Sequence, residues 1–94
     1  MDPRTHVNRE HFNAHLSMLG AGMSLLERAD RLPGTDPAER RTILDVIKSS
    51  LEGIDECITC PWADDEMVNT VSHSDVIAKA VNVCQTAGII KRGE

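Results

Sequence analysis

Four side chains in this sequence have the types and spacing that bind transition metals. His11 and His15 lie four apart, so on a helix both imidazoles leave the same side, the spacing by which one helix gives two ligands to one ion. Cys57-Ile58-Thr59-Cys60 is a C-x-x-C, the other common half-site. Each is weak alone. Brought together they would form a tetrahedral His2Cys2 zinc site able to staple a thin core. Left apart, they read as boundary histidines and small buried cysteines. A dithiol redox role is disfavoured. Thioredoxin-type motifs open a helix that follows a strand, which lowers the attacking thiol's pKa, whereas this one closes a helix, where the dipole acts in the opposite sense.

Asp55–Glu66, DECITCPWADDE, holds two of the three cysteines, the sole tryptophan and five of the fifteen acidic residues. Between Lys48 and Lys79 there is no Lys or Arg. An acidic run beside Trp62 suits a protein partner, with Asp55, Glu56, Trp62, Asp64, Asp65 and Glu66 as the contact residues. Arg28, Arg31, Arg40 and Arg41 cluster around one turn and could hold a phosphorylated small ligand. Glu27, Asp30, Asp36 and Glu39 lie among them, so self-pairing is the simpler account. No catalytic set is legible: Gly20-Ala21-Gly22 follows no strand, and His73 and Cys84 are too far apart on one helix to touch.

Composition narrows the classes further. Ninety-four residues allow one small domain with a thin core. Phe12 and Trp62 are the only aromatics, so the core must be aliphatic, which favours helices over a sandwich or barrel. The formal net charge of -5 argues against nucleic acid, and the lack of stacking aromatics against single strands in particular. No apolar run approaches the ~20 residues of a membrane helix. The first residues carry no hydrophobic segment, and three cysteines do not suggest a disulfide framework. The expected location is therefore cytoplasmic.

The elements that would position these groups are helical. Residues 1–7 read as an arm, and Asn8 as the cap of a first helix over 8–32. There Phe12, Leu16, Leu19, Met23 and Leu26 follow a four–three spacing, the seam of a packed helix. A second strip, Ala14, Met18, Leu25, Ala29 and Leu32, widens the apolar arc to about half the circumference, which predicts more than one neighbour. Asn13, Ser17, Gly20 and Ser24 line the opposite side, where small side chains would admit a helix of a second subunit. Pro33-Gly34 breaks the helix. Asp36, Pro37 and Glu39 then start a second one over 37–59, with Ile43, Ile47, Leu51, Ile54 and Ile58 inward and Val46, Ser50, Gly53 and Cys57 on one margin.

So short a connection makes the two helices antiparallel, with facing residues whose numbers sum to roughly 69 at equal rise per residue. Both metal half-sites then fall at the open end of the hairpin. A short helix over 64–71 and a last one over 73–87, capped within Ser72-His73-Ser74-Asp75, complete the chain, with 88–94 as a tail. The expected fold is all-α: a long antiparallel hairpin with one or two helices across it, a three- to four-helix bundle that a homodimer could complete. The expected function is a small acidic, non-enzymatic module, an inhibitor or adaptor that binds another protein and needs no cofactor. Zinc binding and phosphorylated-ligand binding are the alternatives.

Overall fold

A computed structural model describes residues 3–90. The described residues form four helices and no strand: α1 Pro3–Arg31, α2 Pro37–Thr59, α3 Asp65–His73 and α4 Asp75–Thr86. The fold is the all-α hairpin that the periodicity predicts. α1 packs along α2, and α4 lies across both. The molecule is elongated, 50 × 28 × 19 Å, because α1 runs ~43 Å at 1.5 Å per residue.

Local chemistry explains each boundary. Asp36 caps α2, its side chain accepting from the Ala38 N–H at 2.9 Å, and Pro37 takes the first turn. Asp64 caps α3 by accepting from the Met67 N–H at 2.8 Å. Ser74 is the one residue between α3 and α4, and its hydroxyl accepts from the Ile77 N–H at 3.2 Å. The cap is therefore Ser74, and α3 runs on through His73. α4 ends in a Schellman turn: Ile89 N–H donates to the Cys84 carbonyl at 3.0 Å and Gly88 N–H to that of Gln85 at 3.1 Å, with Gly88 at φ 76°. That turn folds Ile89 and Ile90 back against the core. Residues 91–94 of the expected tail lie outside the described residues.

The first helix begins earlier than its sequence suggests. Asn8 does not cap it, and Pro3–Val7 belong to α1 and not to an arm. Tertiary contacts account for the extra turn: Arg4 and Val7 pack beside Trp62, and Asn8 spends its amide on α2 and α3.

The core is aliphatic as expected: Leu19, Ile47, Met67, Ala80 and Cys84 at its centre, with Phe12, Leu26, Leu44, Ile54 and Ile77 around them. Two glycines let α1 and α2 approach closely. A Cβ on Gly22 would come within 2.9 Å of Ile47 Cγ1, and one on Gly53 within 2.5 Å of the His15 ring. These contacts fall close to the register computed from the hairpin. Gly20, by contrast, would meet nothing within 4 Å.

The wide apolar arc of α1 is only half covered. Phe12, Leu19 and Leu26 are buried, while Met18, Leu25 and Leu32 are 47%, 52% and 56% exposed. No helix of the described chain lies over that second strip.

Candidate functional site

The open end of the hairpin gathers most of the chemistry. The side-chain amide of Asn8 donates to the Cys57 carbonyl at 3.0 Å, tying α1 to the last turn of α2. Arg9 reaches α3, pairing with Asp64 and, at 3.2 Å, with Glu66. Asp64 thus caps α3 and anchors it to α1. The Met67 N–H, and after it the Arg9 guanidinium, hold the Asp64 carboxyl below the usual carboxylate range against its partial burial. The same pairings raise Arg9.

Trp62 follows Pro61 in the turn after α2 and is half-buried. The Arg4 guanidinium lies 4.7 Å from its ring centroid, a cation–π contact. Pro3, Arg4, Val7, Asn8, His11 and Trp62 line a mainly apolar recess of about 350 Å³. Asp55, Glu56, Asp65 and Glu66 are exposed at this end of the molecule. Of the six residues expected to contact a partner, these four remain open to solvent, Trp62 forms a wall, and Asp64 is committed to the fold. The sequence does not reveal Arg4 and Val7 as part of the site, because residues 1–7 read as an arm, nor Arg9, which reads as a first-turn residue of the first helix. The available signal was Val7 and His11, which carry the four–three spacing of Ala14 and Met18 back toward the N-terminus.

The four candidate metal ligands are close in register but not gathered. His11 is exposed and faces the Trp62 recess. The His15 ring lies against Gly53, its Nδ1 buried without a hydrogen-bond partner. Cys57 is buried in the core, and burial, then Cys60 and Glu56, push its thiol pKa up, which keeps it protonated at neutral pH. The Cys60 thiol turns back to donate to the Cys57 carbonyl at 3.1 Å. Among the described residues no three His, Cys, Asp or Glu side chains converge as a metal site. The expected His2Cys2 cluster is corrected on that geometry: His11 lies at the Trp62 recess, His15 against Gly53, Cys57 in the core, and Cys60 is bonded back to the Cys57 carbonyl.

At the tip, three of the four arginines are engaged by neighbours. Arg31 pairs with Glu27 at 2.6 Å, Arg40 with Asp30 at 3.0 Å and Arg41 with Asp45 at 3.4 Å. Arg28 is exposed and makes no ion pair among the described residues. The small-residue strip splits. Asn13 and Ser17 face solvent, while Gly20 and Ser24 border a groove of about 560 Å³ between α1 and α4, floored by Met23, Val76 and Val83. No helix of the described chain is long and apolar enough to cross a membrane. Comparison with protein-family models, with curated proteins and with solved structures found no match.

Proposed function

We propose that the chain is a non-enzymatic protein-interaction module, an adaptor or inhibitor, whose open end takes an apolar side chain flanked by basic residues on another protein. The observation that carries this reading is the Trp62 recess. It is apolar within, and it lies at the end of the molecule where Asp55, Glu56, Asp65 and Glu66 are exposed. Aromatic anchors beside a charged rim are the usual make-up of a binding centre. The rim acts chiefly on partner choice and association rate, which makes binding salt-dependent.

The test is titration of labelled amphipathic helical peptides, basic against acidic, followed by anisotropy at low and high salt. Basic peptides should bind, and binding should weaken with salt. Reversing Asp55, Glu56, Asp65 and Glu66 together should weaken it about tenfold or more. Equal, salt-insensitive binding of both peptide classes would defeat the reading.

A further inference from the structure

The uncovered face of α1 has more order than scattered surface apolars. Val7, His11, Ala14, Met18, Ala21, Leu25 and Arg28 repeat at four–three spacing along α1, the spacing carries on to Leu32 just past its end, and all eight are exposed. This is a second heptad seam, about 140° around the helix from the buried one at roughly 100° per residue. Val46 of α2 is exposed beside it, next to Gly22.

We infer that this seam pairs with the same seam of a second copy of the chain, antiparallel and two-fold, so that Leu32 of each copy enters the Trp62 recess of the other. The inference rests on the reading above, because it makes the chain's own tip the ligand of its own open end.

Three observations select this occupant. The first is size. With the two-fold axis between Met18 and Ala21, the layers become Met18 against Ala21, Ala14 against Leu25, His11 against Arg28 and Val7 against Leu32. Each central layer sets a large side chain against a small one, as interdigitation requires.

The second is the pairing of knob and hole. Leu32 is the most exposed large apolar residue of the described chain at 56%. Val7 lines the recess. Both lie ~19 Å from the proposed axis at 1.5 Å per residue, on opposite sides. Antiparallel two-fold pairing therefore brings each knob to a hole at both ends at once.

The third is charge. Arg28, exposed and without an ion pair among the described residues, falls beside Glu10 of the second copy, on the same edge of the seam. Among the described residues the one ion-pair partner of Glu10 is His6 at 3.2 Å, which is charged only when protonated. Leu32 also arrives with Arg28 and Arg31 close by, the basic flank that the acidic end is proposed to accept. A parallel pair would instead set Arg28 against Arg28 and Glu10 against Glu10.

The experiment is sedimentation equilibrium of the full chain from about 1 μM to about 1 mM, with Trp62 emission followed over the same dilution series. A monomer–dimer equilibrium is expected, and Trp62, the sole tryptophan, should report loss of the inserted Leu32 on dilution. Leu25→Glu and Leu32→Glu should each weaken association at least about tenfold at unchanged helical content. Glu10→Arg and Arg28→Glu should each weaken it several-fold, and the double exchange should restore it, which a parallel pair would not show.

A chain that stays monomeric throughout, or a dimer indifferent to both glutamate substitutions, overturns the inference. So does a dimer that Glu10→Arg weakens but Arg28→Glu does not rescue. The peptide titration, repeated on Leu25→Glu, separates the two claims. Basic peptides that bind a chain which never dimerises leave the open-end reading standing without the second copy. Failure of those peptides removes the reading as well.

Discussion

α1 carries two apolar seams of the same spacing, and they have opposite fates. Phe12, Leu19 and Leu26 of the inner seam are sealed beneath α2 and α4. Met18, Leu25 and Leu32 of the outer seam stand in solvent. The difference lies only in part in the seams: both repeat at four–three spacing, but the outer one includes Ala14 and Ala21 and the polar His11 and Arg28, where the inner one is large and apolar throughout. The rest lies in the supply of neighbours. α2 and α4 cover one side of α1, and α3 is spent closing the open end through Met67 and the Arg9–Asp64 pair. Periodicity states what a helix can bury. The number and length of the other elements decide how much it does bury within one chain.

The largest expected effect tests that division directly. Leu19 and Ile47 are fully buried, so Leu19→Ala or Ile47→Ala should each cost about 2–5 kcal/mol, from lost transfer energy and the cavity left behind. Leu25→Ala, made at the same spacing on the same helix, should change stability by less than about 0.5 kcal/mol in dilute protein. Denaturant melts of the three variants at low concentration read the contrast. Equal losses at Leu19 and Leu25 would show that the outer seam is covered within the chain.

The hairpin was legible because its signals were local. Asp36-Pro37 marks a helix start and Gly34 a break, and a short connection leaves antiparallel packing as the only geometry. The register followed from helix rise alone, and Gly22 against Ile47 and Gly53 against His15 fall close to it. The site was less legible. Register placed His11, His15, Cys57 and Cys60 at one end, but it could not say which way Cys60 turns once α2 ends. The recess was missed for the same reason as the first turn of α1. Arg4 and Val7 pack beside Trp62, which lies far along the chain, and the four–three spacing of Val7 and His11 carries the helix back but not that contact.

The glycines sharpen the comparison at intermediate effect. Exchange to Ala favours a helix by about 0.8–1 kcal/mol before packing is counted. At Gly20, where a Cβ meets nothing, that gain should appear nearly whole. At Gly22 the new methyl meets Ile47, which has no room to move at the core centre, so a net loss of about 1–2 kcal/mol is expected. At Gly53 the obstacle is the ring of the half-buried His15, which can swing outward. Gly53→Ala should then be close to neutral, with greater solvent exposure of His15 seen by its imidazole proton shifts. Thermal melts rank the three, and a stabilising Gly22→Ala would mean that the seam between α1 and α2 is looser than its contacts imply.

The smallest effect concerns the open end alone and separates two roles of one carboxylate. Asp64 caps α3 through the Met67 N–H and pairs with Arg9 on α1. Its folded pKa is depressed, so what it contributes is present above the ordinary carboxylate range near ~4 and is lost as pH falls through the folded value. Arg9 stays charged throughout. Acid should therefore release α3 and the Trp62 turn while the seam between α1 and α2 holds, since no carboxylate is buried in it and its Asp30–Arg40 pair is exposed at the tip. Amide exchange reads this locally: the Met67 N–H should lose protection on acidification before those of Leu19 and Ile47. Asp64→Asn keeps a capping oxygen but loses the charge. It should flatten the acid response of Met67 by lowering its protection at neutral pH to the level that acid brings to the unmodified chain, whereas Asp64→Ala should lower it further at every pH. If Asp64→Asn and Asp64→Ala behave alike, the ion pair, and not the cap, holds α3 to the hairpin.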